Sequence, residues 1–178
     1  ANSGVGNSVI RLAKSMGVKT VNVVRREELI APLTAMGADV VVLDGDGLTE
    51  RVAAATDNGN IRLGIDAVAG DTSLRVAECL GENAKLVNYG MLSGEPCKIM
   101  PDQVVFKGID LTGFWLAKDL GSMSRSDAEK LYGELSSQVS DGSLSVSVEA
   151  SYDIADIKDA LAHAAREGRN GKILVRPN

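Results

Sequence analysis

The 178-residue sequence predicts an α/β fold, a doubly wound parallel sheet with helices on both faces. Three observations carry that expectation. Short β-branched runs alternate with segments of helical periodicity almost to residue 142. Glycines stand where helices should close, at Gly17, Gly37 and Gly81. A glycine-rich loop, Ala1-Asn2-Ser3-Gly4-Val5-Gly6, opens directly into the first helix.

Taken in order, Val9, Leu12, Ala13 and Met16 recur at helical spacing, and Gly17 ends that helix. Residues 18–24, Val-Lys-Thr-Val-Asn-Val-Val, form a short strand suited to burial in a parallel sheet. Residues 27–36 are helical and stop at Gly37; 40–43 is a strand, 48–56 a helix and 63–68 a strand. Thr72 is expected to cap the next helix, which runs to Leu80; a strand over 85–88 ends at Tyr89-Gly90, and Pro101 starts a short helix. Residues 109–116 give one more strand, and Ser124 with Asp127 marks the start of an amphipathic helix reaching Val139. Beyond Asp141-Gly142 the pattern changes to a strand at 146–150, a helix at 153–166 and a strand at 172–176. A boundary therefore falls near 142, with residues 1–142 as one domain and 143–178 as a return segment. No strand precedes the glycine loop to hold it, so the first strand of the sheet is expected upstream of Ala1.

Composition narrows the function. With 44% hydrophobic and 24% charged residues the chain can bury a core. Its apolar runs are far shorter than the roughly 20 residues that span a bilayer, which argues against a membrane partner. A net charge of −5 repels polyphosphate at long range, which argues against nucleic acid and for a small-molecule partner. Cys79 and Cys97 lack CxxC spacing, and with a single histidine they do not make the usual zinc set, so no metal is expected. Two unpaired thiols fit a reducing compartment, with the cytoplasm expected and the mitochondrion left open by any upstream leader.

In a dinucleotide-binding, Rossmann-type fold, small residues let the pyrophosphate approach the N–H groups of a helix N-terminus. Against the GxGxxG template the first two glycine positions are Ala1 and Ser3, while Gly6 matches and Gly4 is additional. By itself such a loop is equally a tight connection. Nineteen positions after Gly6, where an NAD enzyme places a carboxylate on the ribose 2′-hydroxyl, this chain has Arg25-Arg26. Guanidinium groups match a 2′-phosphate, so the position reads as NADP(H). The competing reading is a solvated charge pair with Glu27 and Glu28.

Asn2-Ser3-Gly4-Val5-Gly6, the run from Thr20 to Arg25, Asn88-Tyr89-Gly90-Met91 and Gly113-Phe114-Trp115-Leu116 together resemble the medium-chain dehydrogenase/reductases. The likeness is to the zinc-independent trans-2-enoyl-CoA reductase and NADPH:quinone oxidoreductase branch, and it covers nearly the whole chain. The resemblance implies that Ser3, Gly4, Val5 and Gly6 hold the pyrophosphate and that Arg25, with Arg26, binds the 2′-phosphate. It implies that Tyr89, Gly90, Met91, Leu92, Phe114, Trp115 and Leu116 line the nicotinamide end, and that Lys172 reaches the cofactor. It further implies an amino-terminal catalytic domain upstream, completed by 143–178, so the catalytic residues are unknown. The activity implied is hydride transfer from NADPH to the C=C bond of a 2-enoyl thioester. A quinone reductase, an alcohol dehydrogenase-like reductase and a non-catalytic NADPH-binding module remain as alternatives. Family members pair cofactor domains edge to edge, which makes residues 109–112 the candidate edge of a homodimer.

Other residues have plainer readings. Phe114 and Trp115 could be core. Tyr89 and Tyr132 lack a lysine four positions on, where Ser93 and Ser136 stand. His163, among alanines, reads as structural or solvent-facing, and Asp66 as structural or as a turn former with Gly70-Asp71.

Overall fold

The computed structural model describes residues 1–166, 168–169 and 171–177. Glu167, Asn170 and Asn178, which belong to the expected return segment, lie outside the described residues. Helices α1 (Gly4–Ser15), α2 (Ile30–Met36), α3 (Leu48–Thr56), α4 (Asp71–Cys79) and α5 (Pro101–Val105) alternate with strands β1 (Val21–Val24), β2 (Val40–Leu43), β3 (Leu63–Asp66), β4 (Lys85–Asn88) and β5 (Asp110–Gly113). Then come α6 (Leu116–Ser122), α7 (Arg125–Ser140), β6 (Val148–Asp153), α8 (Ile157–Ala164) and β7 (Lys172–Arg176).

Every ladder is parallel, as the alternation requires. The first five strands form two pieces, β1-β2 and β3-β4-β5, and among the described residues no ladder joins β1 to β3. The carbonyls of Thr20 and Val24 point toward β2, accepting from Val40 and Asp44. That of Val23 points the other way and accepts from the Ala1 nitrogen at 2.8 Å. On β3, Leu63 and Ile65 are 53% and 45% exposed. At its other end the three-stranded piece stops at β5, the edge expected near 109–112.

Three apolar clusters seat helices on strands. Ile10 of α1, Leu33 of α2 and Leu29 just before α2 pack on Val24; Leu48 and Val52 of α3 pack on Val42; Ala77 and Leu80 pack on Leu86 and Ile109. Each fully buried large aliphatic, such as Ile10 or Leu86 at 0% exposure, contributes about 1.5–3 kcal/mol.

Several expected boundaries move for identifiable reasons. The first strand begins at Val21 rather than at the exposed Val18. The 27–36 helix opens as a 3₁₀ turn, Glu27–Leu29, and α2 starts at Ile30, which puts Pro32 in a first turn where its missing N–H costs nothing. Gly70, not Thr72, is the N-cap of α4, at φ 58° and ψ −141°. The expected 63–68 strand ends at Asp66, whose carboxylate takes the next N–H groups and turns the chain. The strand expected over 109–116 ends at Gly113, and the unexpected α6 follows. Ser124 caps α7 as expected, accepting from Asp127 at 3.1 Å. The strand expected at 146–150 is Val148–Asp153, and α8 is shorter than expected, preceded by a 3₁₀ turn at Ile154–Asp156.

Candidate cofactor-binding site

The glycine loop is the N-terminus of α1. Ser3 is its N-cap, and the hydroxyl accepts the Gly6 N–H at 3.1 Å. A Cβ on Gly6 would overlap the carbonyl oxygen of Ala1, so the one template glycine that the sequence retains is required by close packing. The first turn of α1 carries no acidic residue, which leaves the positive end of a 12-residue helix available to an anion. Lys172 lies over that end: a Cβ built on Gly4 would sit 3.3 Å from its Cε and 3.6 Å from its Nζ.

Tyr89 follows β4 directly, near enough to Ser3 for that side chain to act on its phenol, which burial pushes up. The turn beneath it is built by Asp66, 3% exposed. Its carboxylate accepts from the N–H groups of Val68 at 2.8 Å and Ala69 at 2.9 Å and from Asn88 Nδ2 at 3.2 Å. Three donors satisfy the buried carboxyl oxygens, which is the structural role read from the sequence. Gly90 passes so close to Ala67 that a Cβ there would meet the Ala67 oxygen at 2.7 Å.

Arg25 and Arg26 follow β1 directly. Arg25 is exposed. Arg26 pairs with Glu28 at 3.3 Å, so the solvated charge pair read as an alternative exists for Arg26. Arg25 forms no ion pair among the described residues.

Beyond the carboxyl ends of β4 and β5 lies a cleft of about 630 Å³. Asn88, Tyr89, Gly90, Met91, Phe114 and Trp115 line it, which brings together most of the residues expected at the nicotinamide end. Phe114 and Trp115 are 48% and 70% exposed, so they are cleft wall and not core. Leu92 and Leu116 stand outside this lining, with Leu92 80% exposed and held through its backbone N–H on Ala67. Glu95, Cys97, Lys118 and Asp119 also line the cleft and were not anticipated. The last two belong to α6, of which only Leu116 falls in the strand expected from the sequence; the other two carry no sequence signal. Among the described residues no group of three His, Cys, Asp or Glu side chains could hold a metal ion.

The chain is similar to known proteins in both sequence and fold. The mitochondrial enoyl-[acyl-carrier-protein] reductase of Dictyostelium discoideum is 30% identical over 180 residues, covering 98% of this chain and 51% of that protein. A Mesorhizobium loti structure assigned as an NADPH:quinone reductase superposes with a TM-score of 0.83 at 26% identity, over 99% of this chain and 51% of that one. The Etr1p/NADP/crotonyl-CoA complex superposes with a TM-score of 0.82 at 21% identity, over 98% and 51%, and shows the fold. The chain thus spans about half the length of each. Residues 4–137 match the family model described as zinc-binding dehydrogenase, and the chain belongs to that family.

Proposed function

We propose that this chain holds NADPH for a reductase that acts on the C=C bond of a 2-enoyl thioester. The observation that carries the reading is Arg25, exposed directly after β1 and without an ion pair among the described residues, in a chain whose α1 N-terminus has no acid in its first turn. A dinucleotide phosphate fits that donor set. Its pyrophosphate would lie on the N–H groups of Ser3–Gly6, and its 2′-phosphate on Arg25 with Arg26 beside it. The nicotinamide end would occupy the cleft between the Tyr89-Gly90-Met91 turn and Phe114-Trp115. When bound, NADPH supplies a hydride. The residues of this chain bind and orient it; the proton donor is not among the residues assigned here.

The thioester reading is supported by the Dictyostelium relative, and a second reading, NADPH:quinone reduction, by the Mesorhizobium likeness. The deciding assay follows NADPH consumption by the full-length protein with crotonyl-CoA and, separately, with a benzoquinone. Turnover of crotonyl-CoA with a preference for NADPH over NADH supports the first reading, turnover of quinone alone the second, and no turnover of either removes both.

We also infer two domains, 1–142 for the cofactor and 143–178 returning to the catalytic part, and a homodimer joined through the open edge of β5. A monomeric mass by light scattering on the full-length protein would refute the dimer. Among the described residues no helix is long and apolar enough to cross a membrane. The free thiols of Cys79 and Cys97 fit a reducing compartment, cytoplasmic or, as in the Dictyostelium relative, mitochondrial.

A further inference from the structure

The parallel pair β6–β7 contains one irregularity. Val148 faces Lys172 and Ala150 faces Ile173, so Glu149 is an extra residue on β6. A bulge of this kind resets which side of the strand each residue takes. Glu149 and Tyr152, three apart, would face opposite sides of a regular strand; here both reach the same imidazole on α8. His163 Nδ1 lies 2.9 Å from the Tyr152 hydroxyl, and Nε2 lies 3.0 Å from Glu149 Oε1. One neutral tautomer satisfies both contacts, with the Tyr152 hydroxyl donating to Nδ1 and Nε2–H donating to Glu149. The two rings meet edge to face, with centroids 6.0 Å apart, and the His163 side chain is only 16% exposed.

The other flank of the bulge is equally constrained. A Cβ on Gly171 would fall 2.7 Å from the Glu149 nitrogen and 2.8 Å from the Ser147 oxygen, both backbone atoms. The next residue is Lys172, whose N–H donates to that same Ser147 oxygen at 2.8 Å and whose side chain lies over Gly4. A bulge clamped by His163 on one side and seated on Gly171 on the other therefore fixes where β7 begins. That origin fixes where the lysine points.

We propose that the Tyr152–His163–Glu149 bridge is a positioning device that holds Lys172 over the N-terminus of α1, where the ammonium contacts a phosphate of the dinucleotide. The inference rests on the NADPH reading above. His163, Tyr152 and Glu149 act through Lys172 and touch no ligand.

The test is NADPH titration of the full-length protein by cofactor fluorescence. Lys172→Ala should weaken binding about tenfold, the lower range for a charge-assisted contact. His163→Leu should weaken it by a comparable factor. His163→Gln should restore affinity to within about twofold, because a carboxamide can accept from Tyr152 and donate to Glu149. The double variant His163→Leu/Lys172→Ala should bind no more weakly than Lys172→Ala alone, since both changes remove one contact. Should His163→Leu fail to fold, Tyr152→Phe, which deletes one hydroxyl, takes its place in the cycle. An unchanged affinity in His163→Leu, additive losses in the double variant, or failure of His163→Gln to rescue overturns the positioning role while the cofactor reading stands. No NADPH binding by the unsubstituted protein overturns both.

Discussion

Replacing Arg25 by Asp tests the cofactor assignment most directly, because its expected effect differs between two ligands that are otherwise identical. Arg25 is exposed and makes no ion pair among the described residues, so its loss breaks nothing the fold uses. A guanidinium contact to a phosphate contributes about 1.5–3 kcal/mol, which corresponds to roughly 10–150-fold in affinity. Arg26 tempers the loss. Its pair with Glu28, with side chains 42% and 65% exposed, is a surface pair of about 0–1 kcal/mol, weak enough to be given up for a phosphate. Against this, the new carboxylate repels the 2′-phosphate. The expected result is NADPH binding weaker by about 10–100-fold with NADH affinity unchanged within about twofold. Both titrations are run by fluorescence at one ionic strength near 0.15 M, where the screening length is about 8 Å. Equal weakening of both cofactors would mean that the substitution disturbs the loop and not a phosphate contact; no change in either would refute a phosphate site at the end of β1.

Three further outcomes follow from the same geometry. Asp66→Ala leaves three donors, one buried and two partly buried, without their acceptor and should cost about 3–5 kcal/mol, a drop of about 6–20 °C in melting temperature for a chain of this size. Asp66→Asn, which can keep an oxygen facing Ala69 and Asn88, should cost less than half as much, and equal melting of the two variants would contradict the three-donor account. Gly90→Ala forces a methyl against the Ala67 oxygen, so a loss of about 1–3 kcal/mol by urea denaturation is expected together with weaker NADPH binding. The Arg75 guanidinium grips Asp44 through two contacts of 2.8 Å and holds its carboxyl below the usual carboxylate value. A depressed folded pKa gives stability that is present above the unfolded value near 3.9 and lost as pH falls through the folded one. The stability gap between the unsubstituted protein and Asp44→Asn should therefore be full at pH 7 and shrink below about pH 4; a gap that does not depend on pH would refute the pairing.

What could be read from the sequence was whatever one residue's own chemistry decides. Alternating β-branched runs and closing glycines announced the α/β order, because burial between helices and left-handed termini impose those residue types locally. Arg25 could be located directly after a strand, and the structure puts it just past β1. Features decided by partners far along the chain were not readable. Gly113-Phe114-Trp115-Leu116 looks like one apolar run, yet the ladder with β4 stops at Gly113 and the aromatic pair turns out to wall a cleft. Thr72 looks like a cap, but Ser73 does the polar work: its buried hydroxyl donates to the Gly70 carbonyl at 2.7 Å and accepts from the Lys98 N–H at 2.8 Å, a partner 25 positions away. His163 among alanines gave no sign of Glu149, which reaches it only because of the bulge.

The division of the sheet bears on how the site works. The glycine loop contacts β1 through the Ala1 nitrogen on the Val23 carbonyl and has Tyr89, just past β4, near Ser3; among the described residues no ladder connects the two strand pieces. The same loop receives Lys172 from β7, a third sheet. A dinucleotide lying from Arg25 across Ser3–Gly6 to Phe114 would touch all of these elements at once. Bound cofactor would then act as a structural tie as well as a reactant, stabilising the fold by RT ln(1 + [L]/Kd), about 2.7 kcal/mol at a hundredfold excess over Kd. The close backbone approaches at Gly6, Gly90 and Gly171 each fix a different element, the loop on Ala1, the turn after β4 on Ala67 and the start of β7 on β6, and a ligand spanning these elements would meet each of them already held in place.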